Sequence, residues 1–231
     1  MARAPSSGGK TRLAPHLSEN RLRELRRALL ADTLSLATNL PPSLASSTGE
    51  LLRGKPRRQG FPSLIVFVEP ADASAEVEAL SATPVTCVPQ VAGDLGRRMC
   101  AAVTYLLQTL DCDAAILVGS DIPLLTADHL DDARETLATA DGVVLGPADD
   151  GGYYLIGMRT VHPELFEGVA WGTSSVLTDT LRIADRAGID ARLIRPAYDL
   201  DTIEDLRRLE GDLRTAPPAA APHVREWLRA G

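Results

Sequence analysis

Leucines recur at helical spacing over residues 18–40, and this pattern predicts the longest helix of the chain. Ser18 can cap its N-terminus, and two prolines end it at residues 41–42. The arginines of this stretch fall largely off the apolar stripe and predict a solvated face: Arg21, Arg23, Arg26 and Arg27. Similar spacing predicts further helices over residues 73–80, 96–110, 126–139, 174–187, 203–210 and 223–229.

Short apolar runs between these helices predict strands. The runs cover residues 64–68, 85–88, 114–118, 142–145, 153–156 and 191–194. The run over 114–118 is continuously apolar and is bounded by glycine and proline, which is typical of a strand buried on both faces. We therefore expect an α/β fold in which this strand lies in the middle of a parallel sheet, with helices on both sides.

Asp121 follows the strand over 114–118 and is the first candidate for chemistry. Ligands of open α/β sheets bind beyond the carboxyl ends of the strands. A carboxylate there suits Mg²⁺ that carries phosphate, because Mg²⁺ is usually held by one or two carboxylates plus phosphate oxygens. The alternative is an aspartate that caps a turn.

A loop of small residues precedes two cations near the N-terminus. Gly8 and Gly9 come before Lys10 and Arg12, so backbone N–H groups could surround a phosphate while the two cations neutralise it. The spacing is not that of a Walker A motif. The alternative is a disordered basic N-terminus.

Two further loops carry candidate ligand-binding residues. Gly93, Asp94 and Arg97 stand at a predicted helix N-terminus, which suits either an anion or a simple cap by Asp94. Asp149 and Asp150 lie between two apolar runs, where they form either a turn or a functional pair.

Aromatic and acidic residues in the C-terminal third add three candidates. Trp171 could stack on a base or sugar, or simply pack. Asp199 and Asp201 alternate along an extended segment, so we expect only one of them to face a site.

Composition narrows the function classes. The chain has 231 residues, 45% of them apolar, and a formal net charge of -7, which disfavours a general nucleic-acid-binding role. No apolar run is long enough to cross a membrane, and the N-terminus lacks the apolar core of a signal peptide. Three cysteines without metal-ligand spacing and four scattered histidines indicate a reduced, cytoplasmic protein that is not a zinc enzyme.

Six motifs, in this order, resemble a poorly characterised bacterial family of GT-A-fold transferases. They are KTRLAP at 10–15, GDLGRRM at 93–99, VGSDIPLL at 118–125, GPADDGGYYLIG at 146–157, WGTSSVL at 171–177 and DLDTIEDL at 199–206. Members are commonly described as glycosyltransferase-like and are associated with radical-SAM and arsenosugar genes. The resemblance covers about residues 3–210. KTRLAP and DLDTIEDL are also similar to motifs of 2-phospholactate and molybdenum-cofactor guanylyltransferases.

The resemblance implies a three-layer α/β/α nucleotide-diphospho-sugar transferase fold with a mostly parallel central sheet over residues 1–213. A Pro/Ala linker and a tail helix would occupy 214–231. In that fold Asp121 stands where glycosyltransferases carry a metal-binding DxD motif, although Ser-Asp-Ile leaves only one acid here. The resemblance implies Asp201, in preference to Asp199, as second ligand of Mg²⁺ or Mn²⁺.

The same resemblance implies the remaining site residues. Nucleotide phosphates would be held by Gly8, Gly9, Lys10 and Arg12, and the nucleoside would lie near Gly93, Asp94 and Arg97. Lys10 and Arg12 would also stabilise charge during catalysis. The acceptor side would comprise Asp149, Asp150, Gly151, Gly152, Tyr153 and Trp171, with Asp150 as general base.

The family normally opens with an apolar strand that leads into the phosphate loop, and Met1 stands where that strand should end. We therefore expect that the native gene begins upstream, with an apolar run ending in MARAP. An in-frame stop codon immediately before Met1 would refute this expectation. Exposed strand edges would also make a homodimer plausible.

Three functions follow as alternatives. The first is a glycosyltransferase that takes a nucleotide-sugar donor and a small-molecule acceptor. The second is a nucleotidyltransferase that takes a nucleoside triphosphate and a phosphorylated acceptor. The third is a nucleotide-binding module without catalysis.

Overall fold

The computed structural model describes residues 1–39 and 64–231 of the chain. The strands are β1 (Ala2–Arg3), β2 (Ile65–Glu69), β3 (Thr86–Pro89), β4 (Ala115–Val118), β5 (Val143–Pro147), β6 (Tyr153–Met158) and β7 (Ala191–Leu193). The helices are α1 (Glu19–Thr38), α2 (Ser74–Glu78), α3 (Leu95–Thr104), α4 (Ala127–Thr139), α5 (Val176–Ala187), α6 (Ile203–Asp212) and α7 (Pro222–Arg229). Residues 41–62 carry no apolar period and are rich in Ser, Gly, Pro, Lys and Arg, which predicts a surface loop; they lie outside the described residues.

The described strands form one parallel and one mixed sheet. The first sheet has the order β1-β2-β3, with both pairs parallel. The second has the order β4-β6-β5-β7, in which β5 and β7 are parallel while β6 runs antiparallel to both β4 and β5. The α/β class is confirmed, whereas one mostly parallel central sheet is not what the described strands form.

The position predicted for β4 is wrong. This strand lies at one edge of the four-stranded sheet and pairs antiparallel with β6, instead of lying centrally among parallel strands. Burial on both faces was predicted, but only Ala115 and Leu117, on one face, are buried, at 3% and 6% exposed, while Ile116 and Val118 are partly buried. Burial also does not specify which strands are neighbours. At its carboxyl end, the Val118 carbonyl accepts a 2.5 Å hydrogen bond from the Met1 amino group, which joins the β1 edge to the second sheet.

Helices pack on both faces of the second sheet. Alternate residues of β5 face opposite ways: Val143 and Leu145 join α3 and α5 in one core, and Val144 joins α4 in another. The first sheet shows the same alternation, because Phe67 lies in the core with α3 while Val66 and Val68 pack with α1. This packing leaves the carboxyl ends of β1 and β4 to carry polar loops.

The long helix α1 is confirmed, capped by Ser18, whose hydroxyl accepts from the Arg21 N–H at 3.3 Å. The solvated face predicted for its arginines is wrong at Arg26, which is 9% exposed. The tail helix α7 packs on α1: the Arg21 guanidinium lies 4.2 Å from the Trp227 ring centroid, and the indole N–H donates to the Arg21 carbonyl. No helix in the described part of the chain is both long and apolar enough to cross a membrane.

Candidate functional site

The loop after β1 turns sharply through three residues with positive φ. Gly8, Gly9 and Lys10 have φ of 86°, 112° and 58°. The first two tolerate this backbone because they lack a Cβ, whereas Lys10 adopts the left-handed region although it has one. A 3₁₀ turn, Thr11–Leu13, follows directly and carries Arg12 exposed on its surface.

Arg26 of α1 donates hydrogen bonds to two backbone carbonyls of this loop. Its Nε donates to the Pro5 carbonyl at 2.9 Å and its Nη1 donates to the Gly9 carbonyl at 2.8 Å. Its Nη2 also pairs with Glu19. A single planar guanidinium therefore fixes both ends of the glycine segment.

Lys10 points inward from the loop and bridges two carboxylates. Its Nζ lies 2.7 Å from Asp201 Oδ1 and 3.2 Å from Asp121 Oδ2. The lysine side chain is 8% exposed, while the two aspartate side chains are 43% and 42% exposed. Burial on its own lowers the pKa of the Lys10 ammonium, but Asp121 and Asp201 outweigh it and raise the pKa above its usual value. The group therefore stays charged.

Backbone contacts fix the two carboxylates relative to each other. The Leu200 N–H donates to the Asp121 carbonyl at 3.1 Å, which ties the segment before α6 to the end of β4. The Asp201 N–H donates to Asp205 of the α6 capping box at 3.0 Å. Gly119 leaves room for the Asp121 carboxylate, because a Cβ there would lie 3.1 Å from Asp121 Oδ1.

Asp199 also belongs to this cluster, contrary to the expectation that only one of Asp199 and Asp201 faces the site. Burial raises the pKa of Asp199 to about 7, and the charges of Asp121, Asp150 and Asp201 act in the same direction. Strand-like alternation does not hold across residues 199–201, because the segment has no regular strand geometry.

The two adjacent acids of the loop between β5 and β6 have different surroundings. Asp149 pairs with Arg208 at 2.6 Å and lines a cavity of about 260 Å³ with Ile122, Leu124, His129, Pro196, Ala197, Tyr198 and Arg208. Asp150 instead acts electrostatically on Asp199, and its Oδ1 accepts from the Gly152 N–H at 2.8 Å. Of the pair, Asp150 is the one associated with the Lys10 cluster.

Gly151 anchors this loop against the segment that leads into α5. It has a φ of 89°, and a Cβ at this position would lie 2.2 Å from the Ser174 carbonyl oxygen. The Gly151 carbonyl also accepts from the Leu177 N–H at 2.9 Å. Glycine is therefore required here for both backbone conformation and space.

Trp171 contacts both Tyr153, at the start of β6, and Gly96, in the first turn of α3. Its ring packs edge-on against Tyr153 with centroids 6.3 Å apart. Its Nε1 would lie 2.5 Å from a Cβ added at Gly96, so it also contacts the first turn of α3. Burial raises the pKa of the Tyr153 hydroxyl, which therefore stays neutral.

The loop before α3 forms a helix cap. Asp94 Oδ1 accepts from the Arg97 N–H at 2.8 Å, and the Arg97 side chain lies against Gly93. Val91 and Leu95 flank this loop and are 43% and 47% exposed. The structure thus shows the cap, and a nucleoside-binding role for these residues stays a prediction.

Sequence reasoning missed two residues that organise the site, Arg26 and Arg208. Arg26 stands four residues after Leu22, a spacing that places both on one helix face and could have indicated burial. Arg208 stacks on Tyr198, with its guanidinium carbon 3.9 Å from the ring centroid, and no local signal connects it to Asp149.

The carboxylates of Asp121 and Asp201 could hold a divalent cation only if a bound phosphate and water supplied its remaining ligands. Within residues 1–39 and 64–231, no group of three or more His, Cys, Asp or Glu side chains is arranged to hold a metal ion. Asp121 and Asp201 nevertheless already hold one cation, the Lys10 ammonium. Two carboxylates are a normal protein contribution to Mg²⁺, provided that phosphate and water supply the other ligands.

Comparison with solved structures finds proteins of similar fold. A "putative nucleotide-diphospho-sugar transferase" from Desulfovibrio desulfuricans G20 is 26% identical to this chain, with a TM-score of 0.78, and the match covers 97% of this chain and 91% of that one. Two mycobacterial proteins are more distant. The Rv0371c homologue from Mycobacterium sp. strain JC1 is 20% identical (TM-score 0.49, covering 81% of this chain and 84% of that one). Rv0371c from Mycobacterium tuberculosis H37Rv is 17% identical (TM-score 0.42, covering 72% and 82%).

The match to the Desulfovibrio protein shows that the fold is similar to that of a "putative nucleotide-diphospho-sugar transferase". A search of curated proteins gives no significant match. Residues 55–173, about half of the sequence, match a family described as uncharacterized and conserved in bacteria. The chain therefore belongs to the DUF2064 family of bacterial proteins.

Proposed function

We propose that this protein is a metal-dependent transferase of the GT-A type that uses a nucleotide-sugar donor and a small-molecule acceptor. One observation carries the proposal: the Lys10 ammonium is buried between Asp121 and Asp201 where the loops after β1 and β4 meet. The match to the Desulfovibrio protein over nearly the whole chain supports it.

In this proposal the donor diphosphate binds to the loop after β1 that contains Gly8, Gly9 and Lys10, called the glycine loop below. The N–H groups of Gly8 and Gly9, with Arg12 and Lys10, face the phosphates, and Asp121 and Asp201 hold Mg²⁺ or Mn²⁺. When bound, the ion offsets the negative charge that develops on the departing diphosphate. The loop from Gly93 to Arg97 and the exposed Val91 and Leu95 offer a surface for the nucleoside.

The acceptor would approach from the loop between β5 and β6. Asp150 takes the proton of the acceptor hydroxyl as that oxygen bonds to the anomeric carbon, and the bond to the diphosphate breaks with its electron pair leaving on the nucleoside diphosphate. The Gly152 N–H holds the Asp150 carboxylate in place. Asp149, Gly151, Tyr153 and Trp171 shape this side of the site.

A nucleotidyltransferase is the second candidate, and the pair of cations on the glycine loop favours it. Lys10 and Arg12 are only two residues apart, so both could contact the longer phosphate chain of a nucleoside triphosphate. The two reactions differ in their products, because a glycosyltransferase releases a nucleoside diphosphate and a nucleotidyltransferase releases pyrophosphate.

Thermal-shift measurements with Mg²⁺ test the proposal. UDP-, GDP- and dTDP-sugars are compared with GTP, CTP, ATP and UTP on the wild-type chain, since a ligand of the folded state raises the melting temperature. A Mg²⁺-dependent shift from a nucleotide sugar supports the first function, and one from triphosphates alone supports the second. If no nucleotide of either kind shifts the melting temperature, the proposal is wrong.

The metal assignment is tested with Asp121→Asn, and Asp190→Asn serves as the matched control. Asp190 has a similarly exposed side chain, at 48%, but pairs with Arg192 beside β7, away from the cluster. We expect Asp121→Asn to lose the Mg²⁺-dependent shift and turnover, and Asp190→Asn to retain both. Unchanged Mg²⁺ dependence in Asp121→Asn would overturn the assignment.

A further inference from the structure

The ammonium of Lys10 would compete with a divalent cation for one oxygen of each carboxylate, Asp121 Oδ2 and Asp201 Oδ1. Lys10 Nζ lies 2.7 Å from Asp201 and 3.2 Å from Asp121, which is full hydrogen-bonding contact with both. A Mg²⁺ ion needs carboxylate oxygens at about 2.0–2.1 Å in a near-octahedral shell. A metal bound to the two oxygens that Nζ contacts would have to displace the ammonium, and the two positive charges repel each other.

The loop itself keeps Lys10 at the carboxylates. Gly9 and Lys10 adopt positive φ, and Arg26 holds the Gly9 carbonyl from α1. Because the backbone is fixed in this way, the ammonium can leave only by rotation of its four-carbon side chain. Such a side chain reorients readily when another anion is within its reach.

The diphosphate of the donor would be such an anion. The same loop that presents Lys10 also presents the N–H groups and Arg12 that we assign to phosphate. A phosphate bound there offers the ammonium a new partner and supplies the metal with the ligands that two carboxylates lack. Phosphate would therefore favour the metal twice, by removing its competitor and by completing its coordination.

We propose that Lys10 is a tethered competitor that makes divalent-metal binding conditional on the phosphate of the donor. Without donor, its ammonium occupies the place of the metal between Asp121 and Asp201. With donor, it moves to the phosphates and the metal enters. This inference rests on the proposed function, in which these two aspartates are the metal ligands. By linkage, metal must strengthen phosphate binding by the same factor.

The first test measures Mn²⁺ binding without nucleotide, from the EPR signal of unbound Mn²⁺. We expect Lys10→Met to bind Mn²⁺ at least about tenfold more tightly than wild type, since one competing cation is gone. Lys10→Gln repeats the measurement with a polar neutral side chain. Arg192→Met is the charge-matched control: it removes a positive charge within β7, where Arg192 pairs with Asp190, and should leave Mn²⁺ affinity unchanged.

The gain must also depend on the assigned carboxylates. We expect Lys10→Met combined with Asp121→Asn to lose the added affinity. If Lys10→Met and Lys10→Gln bind Mn²⁺ no more tightly than wild type, or if the double variant keeps the gain, the inference is overturned.

The second test uses inorganic pyrophosphate as the phosphate probe. Wild type should show a thermal shift with Mn²⁺ and pyrophosphate together that exceeds the sum of the separate shifts, and Lys10→Met should show a smaller excess. An equal excess in both proteins contradicts the inference.

Failure of the inference and failure of the proposed function give different results. If Lys10→Met gains Mn²⁺ affinity but no nucleotide shifts the wild type, the proposed function fails while the competition stands. If nucleotide sugars bind with Mg²⁺ but Lys10→Met gains no Mn²⁺ affinity, the competition fails while the function stands.

Discussion

Replacement of Arg26 by methionine tests whether the glycine loop is held in its shape by α1. Methionine keeps much of the apolar stem but removes the guanidinium that donates to the Pro5 and Gly9 carbonyls. Because Arg26 is 9% exposed, water cannot readily replace these bonds. The Gly9 end of the loop would lose its anchor and, with it, the fixed direction of Lys10.

The expected loss of stability follows from the contacts. Hydrogen bonds from a charged donor contribute about 1.5–3 kcal/mol each, so two of them give about 3–6 kcal/mol. The Glu19 side chain is 63% exposed, and its ion pair with Arg26 adds less than about 1 kcal/mol. Relief from burying the charge offsets part of the total. We expect a net loss of about 3 kcal/mol, which lowers the melting temperature of a chain of this size by about 6–12 °C.

Circular dichroism melting of Arg26→Met measures this loss, and Arg27→Met is the matched control. Arg27 is the next residue of α1 but is exposed, so its replacement should change stability by less than about 0.5 kcal/mol. Arg26→Lys should fall between wild type and Arg26→Met, because one ammonium lacks the planar fork that reaches both carbonyls. If Arg26→Met melts within about 2 °C of Arg27→Met, the guanidinium does not hold the loop and the reasoning is wrong.

Two further predictions concern a glycine and a histidine. Gly151→Ala should destabilise the protein by about 3 kcal/mol in urea unfolding, because the new Cβ would clash with the Ser174 carbonyl and the φ of residue 151 is positive. The control is Gly211→Ala in α6, where a Cβ meets nothing within 4 Å, and it should be slightly stabilising. Equal stability of the two variants would contradict the prediction. Burial and the charge of Arg195 lower the pKa of His129 below 6.5, so the unfolded chain takes up this proton first and the contribution of His129 to stability should decrease as the pH falls below 6.5. His129→Gln keeps an acceptor for the Thr126 N–H, so in urea unfolding the stability of wild type relative to His129→Gln should decrease from pH 7 to pH 5, whereas a difference that does not change with pH would refute the assignment.

Local signals predicted the helices well because they act within a few residues. Ser18 caps α1 as the sequence indicated, and Thr126 and Gly188 stand at the cap positions of α4 and α5. The hairpin from β5 to β6 was likewise visible as two apolar runs around a glycine turn. The order of strands was not predictable in this way, since the antiparallel insertion of β6 beside β4 joins residues about 40 positions apart.

In the candidate site, too, single residues were predictable from the sequence but their contacts with one another were not. Lys10, Asp121 and Asp201 were each identified from the sequence, and the structure brings them together across separations of 111 and 191 residues. The resemblance to a known family indicated that these residues belong to one site, but it gave no sign that Lys10 lies between the two aspartates. Arg26 was missed because a charged residue beside a leucine stripe normally faces water, and only the carbonyls of the folded loop make its burial favourable.

In the proposed function, the charge balance of the site favours joint entry of phosphate and metal. Asp121 and Asp201 contact the buried Lys10 ammonium, and the charges of Asp121, Asp150 and Asp201 act on the neighbouring carboxyl group of Asp199. A diphosphate that bound without a cation would add negative charge to an acidic site. A divalent cation that bound without phosphate would have to displace Lys10 and leave that ammonium buried without its partners. Joint entry avoids both costs, because each ligand then supplies the charge that the other displaces or lacks.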